Sequence, residues 1–168
     1  MIKKGIILLS LALLVTGCSE GTATTSAPSK EVIQKGTTLT NQQALDTFIK
    51  HAQEYKEDHI RVVRHYGKQA YEYGKWQEFG LIKENGEPIK GKVPEGKVIY
   101  DLTYRYDKQA KQGWIEVKSD TSQFKESTEY PANIPSSQQC SRIEKDAERG
   151  SYLLTECFHR WDYELFPL

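Results

Sequence analysis

Four histidines and 23 acidic residues are the side chains of this 168-residue chain with the chemistry for acid–base or metal-dependent catalysis. His51, His59, His65 and His159 lie in no spacing typical of a zinc site or of an activated nucleophile. His51 and His59 are eight residues apart, near the end of a predicted helix and beyond it, which favours solvated or helix-capping imidazoles. We also find no strand-to-helix nucleophile elbow and no phosphate-binding glycine loop. The sequence therefore predicts no catalytic residue, no metal site and no cofactor.

Carboxylate pairs offer one remaining route to catalysis. Asp101 and Glu116 could meet across a predicted hairpin, in the way that glycoside hydrolysis requires of two carboxylates. Such pairs arise readily by chance among 23 acidic residues, and ion pairing to Arg105 or Lys118 is the simpler explanation. A hydrolase with dispersed acidic catalytic residues is therefore kept only as an alternative function, and we do not predict an enzyme.

The N-terminus has the layout of an export signal. A short basic region precedes an apolar run from Ile6 to Val15, which is too short for a membrane span of roughly 20 residues. The segment Val15-Thr16-Gly17-Cys18 resembles a lipobox, the motif read by the bacterial lipoprotein maturation enzymes. The resemblance implies cleavage between Gly17 and Cys18 and a diacylglycerol thioether on Cys18. A plain secreted protein whose apolar run ends near a cysteine is the alternative.

This interpretation sets both the location and the division of the chain. The lipid on Cys18 would make the cell membrane a partner and hold the protein on its outer side. From Ser19 to about Lys35 the sequence is rich in Thr, Ser, Gly and Ala without apolar periodicity, as is typical of a flexible tether. We therefore predict a signal peptide at 1–17, a lipidated N-terminus with tether at 18–38, and one domain at 39–168.

Assigning Cys18 to lipid leaves two cysteines for an oxidising environment. Residues 140–144 and 152–157 flank a polar turn with glycine and are predicted to form a hairpin. If Asp146 pairs with Ser151, Cys140 lies directly opposite Cys157, with Cα atoms about 4.5 Å apart. We predict this disulfide, which would stabilise the domain by about 3 kcal/mol.

Two observations leave the cysteine pair open to other interpretations. The same register puts Ile143 and Leu154 on the face opposite the cysteines, so the pairing could be offset. Metal binding by the two cysteines and His159 is the chemical alternative, but zinc sites use three or four protein ligands at short spacings.

The apolar spacing predicts an α+β fold. Leu45, Phe48, Ile49, Ala52 and Tyr55 recur at steps of three and four, which predicts one N-terminal amphipathic helix over 41–56. Residues 60–66 favour a strand, and the alternation over 97–106 followed by 114–118 predicts a hairpin. We expect a further strand pair within 71–94. The helix would pack on an antiparallel sheet of hairpins in a single domain.

Aromatic enrichment is the one clue to binding. Tyr100, Tyr104 and Tyr106 share one face of a predicted strand, and Trp114 begins the next. Flat apolar area with a polar tip suits sugar- and peptide-binding surfaces, so these four residues form the predicted binding surface. Tyrosines also suit sheets generally, and packing under the helix is the simpler explanation for them. The apolar C-terminal tail is predicted to pack on the domain or on a partner.

The charge balance excludes nucleic-acid binding. Lys+Arg and Asp+Glu both number 23, and removal of Lys3 and Lys4 with the signal leaves 21 against 23 in the mature chain. A nearly balanced chain with interspersed signs has no field that attracts a phosphate backbone.

Several segments of the domain resemble an uncharacterised family of small lipoproteins, mostly of Gram-positive spore-formers, that is known as a domain of unknown function. The resemblance lies in 58–63, 95–104, 115–122, and the paired segments 140–144 and 152–157 with their two cysteines. It departs at Lys97-Val98, where the family often has Asp-Pro, and over 66–94, which is longer than usual. The resemblance implies a lipid anchor and a cysteine pair but no activity. We expect a membrane-anchored binding or accessory module that recognises an envelope protein or a cell-wall glycan.

Overall fold

The computed structural model describes residues 30–148, 150–158 and 160–167, and in these ranges the chain is mostly β. The strands are β1 (Glu31–Lys35), β2 (Thr38–Thr40), β3 (Asp58–Tyr66), β4 (Glu95–Asp107), β5 (Gln112–Asp120), β6 (Phe124–Lys125), β7 (Ser137–Asp146), β8 (Ser151–Cys157) and β9 (Arg160–Pro167). The helices are α1 (Gln42–Gln53) and α2 (Tyr73–Glu78). The predicted signal peptide, the lipidation site at Cys18 and the tether up to residue 29 lie outside the described residues.

The predicted α+β class is wrong. Among the described residues two short helices accompany nine strands of one sheet, and two strands precede α1. The sheet is also mixed, because β1 pairs parallel with β3. The physical reason for the error is that β1 is short and polar, with only Val32 and Gln34 buried, so its alternation could not be distinguished from the neighbouring low-complexity sequence.

The folded domain begins earlier than predicted. The boundary at residue 38 places β1 within the tether, whereas Glu31–Lys35 pairs with β3 and Thr38–Thr40 pairs with β1. Val32 is fully buried in the core. The domain therefore starts by Glu31 rather than at Leu39.

The sheet has the order β2-β1-β3-β4-β5-β7-β8-β9, and β6 pairs with the beginning of β4. Helix α1 packs on its core face and contacts β1 and β3 on one side and β7 on the other. Tyr152 of β8 ties the helix down, because its hydroxyl accepts from Gln42 at 2.8 Å and donates to Asp46 at 2.9 Å. The sheet therefore curves around the helix, and Leu45, Phe48 and Ile49 fill the space between them.

A smaller core lies in the long segment between β3 and β4. Ala70, Trp76, Leu81 and Val93 are buried together around α2. The predicted strand pair within 71–94 is wrong, since the described backbone there holds α2 and a single isolated bridge between Ile82 and Pro88. Short glycine-rich sequence without alternation does not build a ladder.

The C-terminal tail packs on the domain as β9, which pairs antiparallel with β8 and buries Leu165 completely. The β4–β5 hairpin is present in the predicted place, with Tyr104 opposite Ile115. The sequence pattern was sufficient there because both strands alternate cleanly between buried and exposed residues.

Candidate functional site

A groove of about 420 Å³ opens where α1 ends, and we call it the aromatic groove. Its walls come from the end of α1, the β4–β5 hairpin and β7, and its main lining residues are Tyr55, Tyr104, Gly113, Ser141, Arg142 and Glu144. This volume is in the range of small-molecule and peptide side-chain pockets.

Tyr55, at the rim of the groove, has an unfavourable backbone conformation. Its φ is 59°, in the left-handed region, and its side chain is 62% exposed. The N–H of Tyr55 donates to the Ala52 carbonyl at 3.2 Å and the N–H of Lys56 to the His51 carbonyl at 2.9 Å, which is the Schellman ending of a helix. Glycine is the usual residue there, because a side chain in this conformation costs about 1 kcal/mol. The helix therefore ends on a large exposed ring where glycine would be the more stable choice.

The Tyr55 ring contacts a second tyrosine. Its centroid lies 5.0 Å from that of Tyr106, with the planes tilted by 39°. Burial raises the pKa of Tyr104, and the neighbouring Tyr55 and Tyr106 add to the effect. Tyr104 is buried, so only part of its ring reaches the groove. Tyr55 and Tyr106 therefore form a ring pair at the rim of the groove, and Tyr104 lies buried next to them.

The groove follows a split in the sheet. Strands β5 and β7 pair from Lys118 opposite Ser137 to Ile115 opposite Cys140, and the described ladder ends there. Continuation of that register would place Gly113 opposite Arg142, yet both residues line the groove instead. The backbone of β5 before Ile115 and of β7 after Cys140 therefore borders the groove on its two sides.

A kink in the β7–β8 hairpin lies next to the split. Cys140 and Ile143 are both buried although they are three residues apart, and so are Leu154 and Cys157. Regular alternation would put residues three apart on opposite faces. The irregularity lies between them, where Glu156 has a left-handed φ of 54°. The left-handed residue changes which side of the strand is buried, next to the point where the described β5–β7 ladder ends.

The same kink resolves the conflict in the predicted cysteine register. Asp146 does pair with Ser151 and Cys140 with Cys157, without an offset. The two cysteines form the predicted disulfide, with Cα atoms 3.9 Å apart. Ile143 and Leu154 reach the core with them because the face changes at Glu156.

The predicted aromatic surface is divided among three environments. Tyr100 is fully buried in the core and contributes no surface. Tyr104 lines the aromatic groove, and Tyr106 contacts the ring of Tyr55 at its rim. Trp114 belongs to the opposite, outer face of the sheet, where its indole N–H lies 3.4 Å from Glu116 Oε1. The four residues therefore do not form one surface. The alternation that places the three tyrosines on one face of β4 also turns that face towards α1.

The carboxylates considered for hydrolysis are engaged in ion pairs on the outer face. Asp101 accepts from Arg61 Nε at 2.9 Å and lies 3.5 Å from His59 Nε2. Glu116 lies 3.5 Å from Arg105 Nε. Asp101 pairs with Lys118 across the hairpin, so the two carboxylates are diagonal neighbours rather than opposed.

A buried carboxylate joins α1 to the sheet. Asp58 is only 6% exposed and accepts from His51 Nδ1 at 2.7 Å, from Lys30, and from the His59 N–H at 2.7 Å. Burial acts to raise the pKa of Asp58, but the hydrogen bonds from Lys30, His51 and the backbone of His59 together lower it. The basic His51 also lies in the last turn of α1, where a cation is favoured.

This ionic junction borders a second cleft, of about 430 Å³, between α1 and β3. Phe48 and Ile60 form its apolar floor. The one hydroxyl among its described lining residues belongs to Thr47 and donates to the Gln43 carbonyl at 2.7 Å. His51 is therefore oriented by a carboxylate, as in a general base, but the adjacent hydroxyl is committed to the helix backbone.

Sequence reasoning missed Tyr55, Arg142 and the His51–Asp58 pair. The absence of glycine or asparagine where α1 must end was a signal for Tyr55, which its place in the apolar stripe concealed. His51 and Asp58 are brought together by the turn from α1 into β3, which no spacing in the sequence reveals.

Comparisons with protein-family models, with curated proteins and with solved structures found no significant match to this chain. Neither helix in the described part of the chain is long and apolar enough to cross a membrane.

Proposed function

We propose that this chain is a bacterial lipoprotein, held outside the cell membrane by lipid on Cys18, whose domain is a binding module for an envelope partner. The lipobox-like Val15-Thr16-Gly17-Cys18 and the resemblance to small Gram-positive lipoproteins support the anchor. The aromatic groove supports the binding role, because it combines exposed aromatic area with polar side chains and backbone in one concave site.

The observation that carries the binding role is Tyr55. Its left-handed backbone opposes stability and its ring is left largely exposed, and a glycine would remove both at the end of α1. Unfavourable conformations that persist at a concave site are often part of a functional surface. The ring of Tyr55, which contacts Tyr106, is exposed at the rim of the groove and available to a ligand.

The substitution Tyr55→Gly tests this role. It relieves the backbone and deletes the ring, so the free energy of unfolding should stay within about 1 kcal/mol of the wild-type value while binding is lost. Retention of the detergent-solubilised full chain on purified wall and membrane fragments should fall at least tenfold. Phe79→Ala is the matched control. Phe79 is also an exposed aromatic residue, at 67%, and it is distant in sequence from the groove residues. Equal retention of both variants would contradict a binding role for the groove.

The anchor has its own test. Cys18→Ser should move the chain from the membrane fraction to the soluble fraction, since two or more acyl chains are needed for lasting attachment. Mass spectrometry of the wild-type N-terminus should show a diacylglycerol-modified cysteine. A variant that stays membrane-bound would show that another part of the chain is the anchor.

A further inference from the structure

We infer that the aromatic groove takes an extended polypeptide segment, which adds as a strand between β5 and β7. This inference rests on the proposed binding function and names the class of ligand. A strand that is added to a sheet gains main-chain hydrogen bonds from the exposed edge, while pockets for alternate side chains provide selectivity.

The first argument is the backbone on the two walls. The β5–β7 ladder ends at Ile115 opposite Cys140, although both strands continue beyond that pair. Gly113 and Arg142, which would form the next hydrogen-bonded pair in this register, line the groove. N–H and C=O groups at such a position are strong hydrogen-bonding groups and form a template for another chain. A peptide in β conformation supplies donors and acceptors at the matching spacing.

The second argument is the separation of the two walls. The described β5–β7 ladder ends beside the left-handed Glu156, and the disulfide between Cys140 and Cys157 lies just at the start of the split. The bent hairpin is thereby covalently held at its base. The groove is formed by a hairpin that the disulfide stabilises. This is consistent with a site that exists before its ligand binds.

The third argument is the chemistry of the side chains around this backbone. The Tyr55–Tyr106 pair offers apolar area for a side chain of the peptide. Arg142 and Glu144 carry opposite charges on the same wall, so the wall attracts neither an acidic nor a basic polymer. An uncharged backbone with an apolar side chain matches this wall better than an anionic wall glycan does.

Gly113 makes room on β5 for the side chain of Tyr104. A Cβ atom at this position would lie 2.0 Å from the hydroxyl oxygen of Tyr104 and 2.6 Å from its ring carbon Cζ. Glycine therefore lets the strand approach the buried tyrosine closely, and its backbone is the part that the groove can reach.

The test starts from a display library of seven-residue peptides, selected on the full chain in detergent and counter-selected on Tyr55→Gly. The best peptide is then synthesised with a single N-methyl group at each position in turn. Because a strand between β5 and β7 donates its N–H groups alternately to the two walls, the inference predicts that methylation weakens binding about tenfold or more at each residue of the paired segment and little at residues outside it. Hydrogen exchange should slow in peptides that cover 112–114 and 141–144, and stay unchanged in 58–66.

Four results would overturn the inference. The selection could yield no peptide that depends on Tyr55, or methylation could leave binding unchanged at every position of the peptide. Soluble cell-wall glycan fragments could instead bind and be lost with Tyr55→Gly, in which case the binding function would stand and only the peptide would be wrong. Protection of 112–114 and 141–144 that rises with protein concentration alone would identify a second copy of this chain as the occupant.

Discussion

Asp58 shows how one side chain can decide the junction between a helix and a sheet. It is 6% exposed. Its carboxylate binds Lys30 just before β1, His51 in the last turn of α1, and the His59 N–H at the start of β3. A carboxylate taken out of water is costly unless it is paired and hydrogen-bonded, and here three donors converge on it. Its lowered pKa follows from this arrangement.

Asp58→Asn should lower the free energy of unfolding at pH 7 by about 1–3 kcal/mol, because it removes the charge that three donors stabilise. The pKa of Asp58 is lower in the folded state than the ordinary aspartate value of 3.8. The stabilisation is therefore present above pH 3.8 and is lost as the pH falls through the folded pKa.

Urea unfolding of both proteins between pH 2.5 and pH 7 checks this expectation, with the curves converging at the acidic end. Glu57→Gln is the control, since Glu57 is the exposed acidic neighbour in the chain. A constant difference between wild type and Asp58→Asn across the whole pH range would refute the ionic origin of the effect.

At the scale of elements, the sequence predicted the strands whose residues alternate regularly between buried and exposed. It missed the features that arise where a strand or helix pattern is broken. The 97–106 and 114–118 pattern located β4 and β5, and the count of thiols located the disulfide. The split beside β5 lies next to a left-handed Glu156 within a strand, and glutamate carries no sequence signal for that conformation. Likewise α1 ends on Tyr55 instead of glycine. The sequence pattern therefore assigns this rim residue of the groove to the apolar stripe of the helix.

The kink at Glu156 predicts opposite effects of the same substitution at adjacent positions. Glu156→Gly should leave stability unchanged or raise it by up to about 1 kcal/mol, because glycine adopts a positive φ without strain. Thr155→Gly, one residue earlier in regular strand, should lower it by about 0.5–1 kcal/mol. Glu156 lies 3.9 Å from Arg142 in an exposed pair, whose loss contributes little.

Glu156→Val completes the comparison, since a β-branched residue is disfavoured at positive φ and should lower stability by about 1–2 kcal/mol. Thermal unfolding of the three variants with the disulfide intact measures the differences. If Glu156→Gly destabilised as much as Thr155→Gly, the kink would not be a conformational constraint beside the groove.

At the scale of the molecule, Arg64 connects the beginning and the end of the domain. Its side chain on β3 is 7% exposed and pairs with Glu72, the residue just before α2. Its Nη1 atom also donates to the backbone carbonyls of Glu164 and Leu165 in β9, both at 3.2 Å. The last strand is thereby held to the third by one guanidinium group, while β8 holds it through a ladder.

Arg64→Met should lower the free energy of unfolding by about 3–5 kcal/mol, because it leaves the mostly buried Glu72 carboxylate without its cation. The double variant Arg64→Met, Glu72→Gln removes both charges and should recover a large part of that loss. Arg64→Lys keeps the charge but lacks the planar fork that reaches Glu72 and β9 together. Its stability should therefore lie between those of Arg64→Met and the double variant. Urea unfolding measures the stabilities, and limited proteolysis of 158–168 reports whether β9 detaches first. If the single and double variants were equally unstable and β9 stayed protected in both, Arg64 would act only by filling space, and the domain would be closed by the β8–β9 ladder alone.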